Sequence, residues 1–280
     1  MRWWRIGGLA VGAAALLSIV LALRAFWFEP ASLRVIEEHI SLRGSARATV
    51  RIAVLADLHT GSPFNGLSRL REVVVQTNAA RPDVVCILGD LVIQGVLGGR
   101  SVTPEDISAE LKQLRANAGV FAVLGNHDGW LSHDRVQSAL ERNGVRVIEE
   151  TAVKVAAPGG SIWFAGIGDV WTRRFDIGAA LAAVADDTSP VVLMTHNPDV
   201  FPQVPARVAL TLAGHTHGGQ VKLPLLGTPI VPSRFGSRFA AGHIIENGRH
   251  LYVATGVGTS ILPVRFRVPP AVTVLTLAFE

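Results

Sequence analysis

The stretch "VALTLAGHTHGGQVKLP", Val208–Pro224, sets the reading of the whole chain. A short apolar run stops at a glycine, and two histidines, His215 and His217, follow one residue apart with Gly218 and Gly219 behind them. Apolar residues without a polar partner face mark a strand buried on both sides, and the glycines allow a tight corner at its end. Such a corner brings two imidazoles to one small volume, which suits metal coordination. An isolated pair of this kind is more often a turn with two solvated histidines, so the remaining sequence decides.

Working outward, the same pattern recurs. "VRIAVLADLH", "DVVCILGDL", "VFAVLGNHD", "SIWFAGIGD" and "PVVLMTHNPD" are each an apolar run ending in polar residues. Between the earlier runs, "GLSRLREVVVQTNAARP" and "TPEDISAELKQLRANAG" have helical spacing, the second with Thr103 as N-cap and Pro104 at the first helical position. "TAVKVAAPGGSIWFAGI", "AAGHIIENGRHLYVATGVG" and "AVTVLTLAF" read as hairpins and strands. The alternation predicts an α/β fold whose strand ends gather along one sheet edge, where such folds place their ligand sites.

Those ends supply Asp57 and His59, then Asp90, then Asn126, His127 and Asp128, then His196, and finally His215 and His217. Carboxylate, imidazole and amide donors together suit Mn, Fe or Zn, and one carboxylate between two ions can bridge them. His39, His133, His243 and His250 lie away from strand ends and read as solvated or structural.

Composition narrows the remaining options. The 280 residues suffice for one large domain plus an appendage. The single cysteine, Cys86, excludes an intramolecular disulfide and a cysteine-built zinc site. A net charge of +4 suits an anionic membrane surface or phosphorylated substrates, and no basic stripe interleaved with aromatics points to nucleic acid.

The N-terminus adds a membrane element. Ile6–Leu23 is 18 residues without a charge, flanked by Trp3, Trp4, Phe26, Trp27 and Phe28. That length just spans the hydrocarbon layer, and aromatics favour its interfaces. Residues 1–28 are read as a single-pass anchor in the inner cell membrane, 29–48 as a linker, and 49–280 as the catalytic domain. A cleavable signal peptide is the rival reading, opposed by Arg24 and the bulky aromatics where a small-residue cleavage site belongs. Arginines on both sides of the span leave its orientation open. Every candidate ligand lies at or beyond Asp57, so a chain beginning near Ser41 is expected to be soluble and active.

The ordered motifs "DLH", "GDL", "GNHD", "TH" and "GHTHGG" resemble those of the calcineurin-like metallophosphoesterase superfamily, over about residues 50 to 280. The tail through "LYVATGVGTSILPVRF" resembles its bacterial membrane-associated phosphodiesterase branch. The resemblance implies a four-layer α/β/β/α sandwich of two mixed sheets with a dinuclear centre on the rim. By the same resemblance Asp57, His59 and His217 hold one divalent metal, Asn126, His196 and His215 hold the other, and Asp90 bridges them. A hydroxide shared by the metals would then attack phosphorus in line. His127 would face the substrate, at the scissile phosphate or the leaving oxygen, and Asp128 would either orient it or serve as a surface cap.

Two departures qualify the resemblance. After Asp90 the chain reads "LVIQG", without the acid and arginine of protein serine/threonine phosphatases, and "RVPPAV" has Ala271 where related membrane-associated members often carry a glutamate. The expected activity is hydrolysis of phosphodiesters or pyrophosphates. The long stretch "VKLPLLGTPIVPSRFGSRFAAG" mixes apolar residues with Lys222, Arg234 and Arg238 and reads either as a substrate loop or as a packed excursion. As a substrate loop it would admit a lipid-linked phosphate ester, of which a UDP-2,3-diacylglucosamine is one form. A nuclease and a non-catalytic scaffold are the other readings, and the intact ligand set argues against the scaffold.

Overall fold

The structure, a computed structural model, describes residues 2–43, 48–185 and 188–279. In chain order the strands are β1 (Arg34–Leu42), β2 (Thr49–Leu55), β3 (Val84–Ile87), β4 (Val120–Ala122), β5 (Arg146–Val147), β6 (Thr151–Ala157), β7 (Gly160–Gly166), β8 (Val191–Met194), β9 (Leu210–Ala213), β10 (Gly242–Glu246), β11 (Arg249–Val253) and β12 (Ala271–Phe279). The helices are α1 (Arg2–Leu23), α2 (Leu67–Ala79), α3 (Pro104–Leu111), α4 (Asn126–Arg142) and α5 (Ile177–Ala182).

Two mixed six-stranded sheets form, in the orders β1-β12-β2-β3-β4-β5 and β10-β11-β9-β8-β7-β6. Side chains alternate across each strand, so one strand serves two layers. Val50, Ile52 and Val54 of β2 point to the space between the sheets, where they join Phe164, Val192 and Met194. Ala53 and Leu55 point the other way and pack with Val73 and Val74 of α2, Ile107 of α3 and Val136 of α4. Val191 and Leu193 of β8 likewise face outward to Ala180 of α5 and Phe201. Helix, sheet, sheet and helix are therefore stacked in four layers, as the family resemblance implied. Truncating a fully buried member of the central layer, such as Phe164, costs about 3–5 kcal/mol.

Local signals account for the helices that frame the site. Thr103 caps α3 by accepting from the Asp106 amide, with Pro104 in the first turn. Gly125 is the N-cap of α4, and Asp128, in its first turn, accepts from the Gly125 amide at 3.0 Å. The parallel strands β2, β3, β4, β7, β8 and β9 all end at the same rim, so the residues after each are delivered together.

The expected linker is corrected. Within residues 29–48, Arg34–Leu42 forms a full edge strand that pairs in parallel with β12 from Arg34↔Ala271 to Leu42↔Phe279. Its apolar residues alternate, with Ile40 and Leu42 in the central core, but charged neighbours masked the period. The folded unit therefore begins before residue 49. Met1, residues 44–47 and Glu280, which fall in the expected anchor, linker and domain, lie outside the described residues, as do the side chains of Trp3 and Trp4.

Helix α1 is apolar and runs on through one π-helical turn, Arg24–Phe28. Val11–Phe28 is long and apolar enough to cross a membrane; none of it is buried in the fold, and it touches the domain only near its C-terminal end, where Trp27 meets Phe64 and Arg24 lies over Phe266. Phe26, Trp27 and Phe28 at its end are more than half exposed or close to it.

Candidate metal centre

Five of the seven candidate ligands are fixed by an unusual backbone before their side chains are considered. Asp57, His59, Asp90, His215 and His217 all have positive φ, between 37° and 68°. Non-glycine residues rarely adopt that region, which costs on the order of 1–3 kcal/mol each and persists only where the surroundings enforce it. The enforcing contacts are close: a Cβ on Gly214 would stand 2.8 Å from Asp57 Oδ2, and one on Gly125 would stand 2.6 Å from the Asp90 amide nitrogen. The loop glycines thus let neighbouring backbone pass directly beneath two carboxylates.

The side chains converge from both sheets. His59 Nε2 lies 3.1 Å from His217 Nε2, and His217 Nε2 lies 3.7 Å from Asp57 Oδ1. On the other side, His196 Nε2 lies 3.1 Å from His215 Nδ1 and 3.1 Å from Asn126 Oδ1. Asp90 stands between them, with Oδ2 at 3.4 Å from His59 Nε2 and 3.2 Å from His196 Nε2. Two clusters able to hold an ion result, Asp57 with His59 and His217, and Asp90 with His196 and His215. A third, His59 with Asp90 and His127, overlaps them.

The donor set fits divalent cations. Each histidine pair sets two ring nitrogens in contact with room for only one proton between them, and three of the four rings have a second nitrogen buried without a partner. The exception is His196, whose Nδ1 lies 2.7 Å from the Leu88 carbonyl, which fixes the tautomer that turns an Nε2 lone pair toward the site. Imidazole nitrogens with carboxylate and amide oxygens are the mixture that Mn, Fe and Zn share.

Electrostatics point the same way. Burial pushes Asp57 up to about 6, against the pull of His196. Burial also opposes charge on Asp90, yet His196 and His59 hold it well below the usual carboxylate range. Burial opposes charge on His196, and Asp90, Asp57 and Asp169 override it and raise its pKa to about 10. Burial keeps His215 and His217 neutral, His215 at about 3. Without cations the centre thus carries a compensating proton on His196, while His215 and His217 are neutral ligands in waiting.

His127 and Asp128 part company. The His127 ring lies edge-on to His59 at 4.7 Å, beside Trp130 at 5.0 Å, with its Nδ1 buried and unpartnered. Burial lowers its pKa to about 4. Asp128 is fully buried and both its oxygens accept backbone amides, Oδ1 from Leu91 at 2.9 Å and Oδ2 from Gly125. It therefore ties the loop after β3 to the start of α4, and is a buried cap rather than a surface one.

A cavity of about 450 Å³ opens over the centre, lined by Asn126, His127, His215 and His217 and walled by Trp130, Trp171, Ile230, Pro232 and Ile261. No lysine or arginine lines it among the described residues. Arg238 instead pairs with Glu246 at 2.5 Å and lies over the Phe235 and Phe239 rings, and the Arg234 amide donates to Asp199. The Val221–Gly242 stretch thus combines both readings, with Ile230 and Pro232 on the cavity and Phe239 packed in the core. The structural reading of the other histidines also holds, since His133 pairs with Glu149 at 2.7 Å and His243 stacks on His250.

Sequence reasoning missed several contributors. Trp171 meets His215 edge-on at 4.4 Å, and buried Asp169 holds the Trp171 turn by accepting from its amide. Both follow β7, whose polar end "GIGDVW" repeats the pattern of the other strands. Trp130 lies three residues after His127, on the same face of α4. Arg265 is fully buried and donates to the carbonyls of Thr255, Gly256, Gly258 and Val268, bracing the backbone behind Asp57 and His59. Nothing distinguishes it in the sequence from the other arginines.

A four-layer sandwich whose facing sheets share an aspartate between two histidine-rich clusters defines a metal-dependent phosphoester hydrolase. Residues 50–219 match the family model described as calcineurin-like phosphoesterase, and the chain belongs to that family. It is 32% identical over 255 residues to phosphodiesterase YaeI of Escherichia coli (strain K12), covering 89% of this chain and 90% of that protein. It is 30% identical to the metallophosphoesterase YkuE of Bacillus subtilis (strain 168), covering 81% and 78%. A transmembrane protein with a metallophosphoesterase domain from Bos taurus is 27% identical, covering 96% of this chain and 62% of that protein.

Proposed function

We propose that this chain is a membrane-anchored phosphodiesterase or pyrophosphohydrolase that works with two divalent cations. The observation that carries the reading is the position of Asp90 Oδ2, within 3.4 Å of His59 Nε2 in one cluster and 3.2 Å of His196 Nε2 in the other. Asp57, His59 and His217 would hold one cation, Asn126, His196 and His215 the second, with Asp90 shared. When bound, the pair supplies Lewis acidity at the phosphoryl oxygens and an activated water for in-line attack.

The chain's own groups do the remaining work. Asp128, by tying Leu91 to Gly125, fixes Asp90 and Asn126 relative to one another. His127, neutral at physiological pH through burial, donates a ring N–H to a phosphoryl or leaving oxygen instead of acting as a charged acid. Trp130, Trp171 and Ile261 exclude water and offer an apolar wall to the organic part of the ester. With no lysine or arginine lining the cavity among the described residues, charge neutralisation is left to the cations, which suits a diester's single negative charge better than a monoester's two.

Turnover of bis-p-nitrophenyl phosphate, p-nitrophenyl phosphate, single-stranded DNA and UDP-2,3-diacylglucosamine by manganese-loaded protein tests this. Diester hydrolysis well above monoester hydrolysis, abolished in Asp90→Ala, is expected. No turnover of any phosphorus ester by the metal-loaded protein would overturn it. Activity on the diacylglucosamine substrate would narrow the reading to a lipid pyrophosphatase.

A further inference from the structure

The mouth of the cavity is surrounded by apolar side chains that are largely exposed to solvent. Leu97, Leu225, Leu226, Ile230, Ile261 and Leu262 are between 46% and 106% exposed, and Ile230 and Ile261 also line the cavity. Three loops present them, and backbone hydrogen bonds join the loops. The Leu97 amide donates to the Ile261 carbonyl at 2.9 Å, the Lys222 amide to the Phe266 carbonyl at 2.9 Å, and Leu223 pairs with Gly227 to hold the Leu225–Leu226 tip.

The last of these loops, and the neighbouring Phe64, are fastened to the end of the apolar helix. The Arg265 amide donates to the Ala25 carbonyl at 2.9 Å, the Arg24 guanidinium lies 5.5 Å over the Phe266 ring, and Trp27 meets Phe64 edge-on at 5.2 Å. Residues 94–101, 220–238 and 260–267 contain six basic residues and no acidic one; Arg265 is buried, Arg234 and Arg238 reach Asp199 and Glu246 outside the loops, and Arg100, Lys222 and Arg267 complete the set. Apolar tips interspersed with an excess of cations, continuous with a hydrophobic span, match the interface of an anionic bilayer and not bulk water.

We infer that these three loops rest on the surface of the bilayer that holds the anchor, so the catalytic cavity opens toward the lipid–water interface and takes phosphate esters carried there. This rests on the reading of residues 1–28 as a retained span. Buried rim leucines hold the domain at one tilt, and an ester diffusing in the plane of the membrane meets the centre without leaving its lipid surroundings. A soluble ester enters from the side that the loops leave open.

The full-length protein in vesicles of phosphatidylethanolamine and phosphatidylglycerol tests it. A single environment-sensitive dye is placed at Leu226→Cys, at Leu16→Cys in the span, or at Val75→Cys on α2, which is 62% exposed; native Cys86 is buried and does not compete. Dye at 226 is expected to shift to the blue and be quenched by lipids with nitroxides near the head group, dye at 16 by deep nitroxides, and dye at 75 by neither. Leu97→Cys dye in a Leu225→Glu, Leu226→Glu background should lose its quenching while bis-p-nitrophenyl phosphate turnover persists. Quenching at 16 with dye at 226 as wet as at 75 overturns the docking and leaves the span standing. No quenching at 16 overturns the span, and the docking with it.

Discussion

Asp90 and His196 meet across the sandwich: Oδ2 of the aspartate, beyond β3 of one sheet, lies 3.2 Å from Nε2 of the histidine, beyond β8 of the other. The centre is thus assembled only when the two sheets are in register. Asp90→Ala should remove both cations and nearly all turnover, beyond the roughly 10- to 100-fold typical of outer partners of a metal ligand. His217→Ala should chiefly weaken one site. Elemental analysis of the purified variants reads this directly, and two retained equivalents in the Asp90 variant would refute the shared role.

Metal uptake should release protons. In the metal-free protein His196 is held charged up to about pH 10, and a protonated imidazole has no lone pair to give. Raising pH toward 10 therefore favours binding, by about tenfold in apparent affinity per pH unit for each proton displaced. Calorimetric titration with manganese in buffers of different ionisation enthalpy counts those protons, and none released at neutral pH would contradict the charged state.

His127→Ala should keep both cations and lose rate, about 10²- to 10⁴-fold for poor leaving groups and less for nitrophenolates. A comparison of aryl esters of graded leaving-group pKa measures it. An equal loss across the series would place its hydrogen bond on the phosphoryl oxygens instead.

Gly125→Ala tests the packing beneath Asp90. Gly125 has an ordinary φ of −101°, so the new methyl acts only by displacing Asp90. Its activity and metal content should fall toward those of Asp90→Ala, while Gly66→Ala, at the N-cap of α2 with open space around it, costs about 1 kcal/mol of stability and no activity. Turnover and metal analysis on both variants distinguish a local from a global effect.

The edge strand revises where the chain may be shortened. A protein beginning near Ser41 loses most of β1, including the Glu38 carboxylate that accepts from Tyr252 at 2.9 Å, and exposes the backbone of β12. One beginning at Pro30 should be monodisperse and active, and one beginning at Arg43 should melt several degrees lower or aggregate. Light scattering and thermal unfolding of the two decide.

How much of this was legible follows from what each residue contacts. The ligands could be read because parallel strands, buried on both faces, spell an apolar run and stop abruptly, so "ADLH", "LGDL" and "GHTHGG" are marked by contrast with what precedes them. The layer order needed the family resemblance, since nothing local says that β12 inserts between β1 and β2. β1 escaped because Glu37, Glu38 and His39 interrupt an edge strand that is buried on alternate residues only. Arg265 and Asp169 act through carbonyls and amides of distant loops, and such partners leave no trace at fixed spacing.

The place of β12 also sets an order of events during synthesis. Among the described residues the first two strands, β1 and β2, are not neighbours, because β12, which follows all the others in sequence, lies between them. While the ribosome is still working, the apolar N-terminal helix has long been available for membrane insertion, yet half of the sandwich has an open gap. Closing that gap requires contacts separated by more than two hundred residues, such as Arg34 with Ala271, which is slow and leaves strand edges unprotected. Pulse-labelled chains should therefore stay protease-sensitive until residue 279 emerges, and then become resistant in one step.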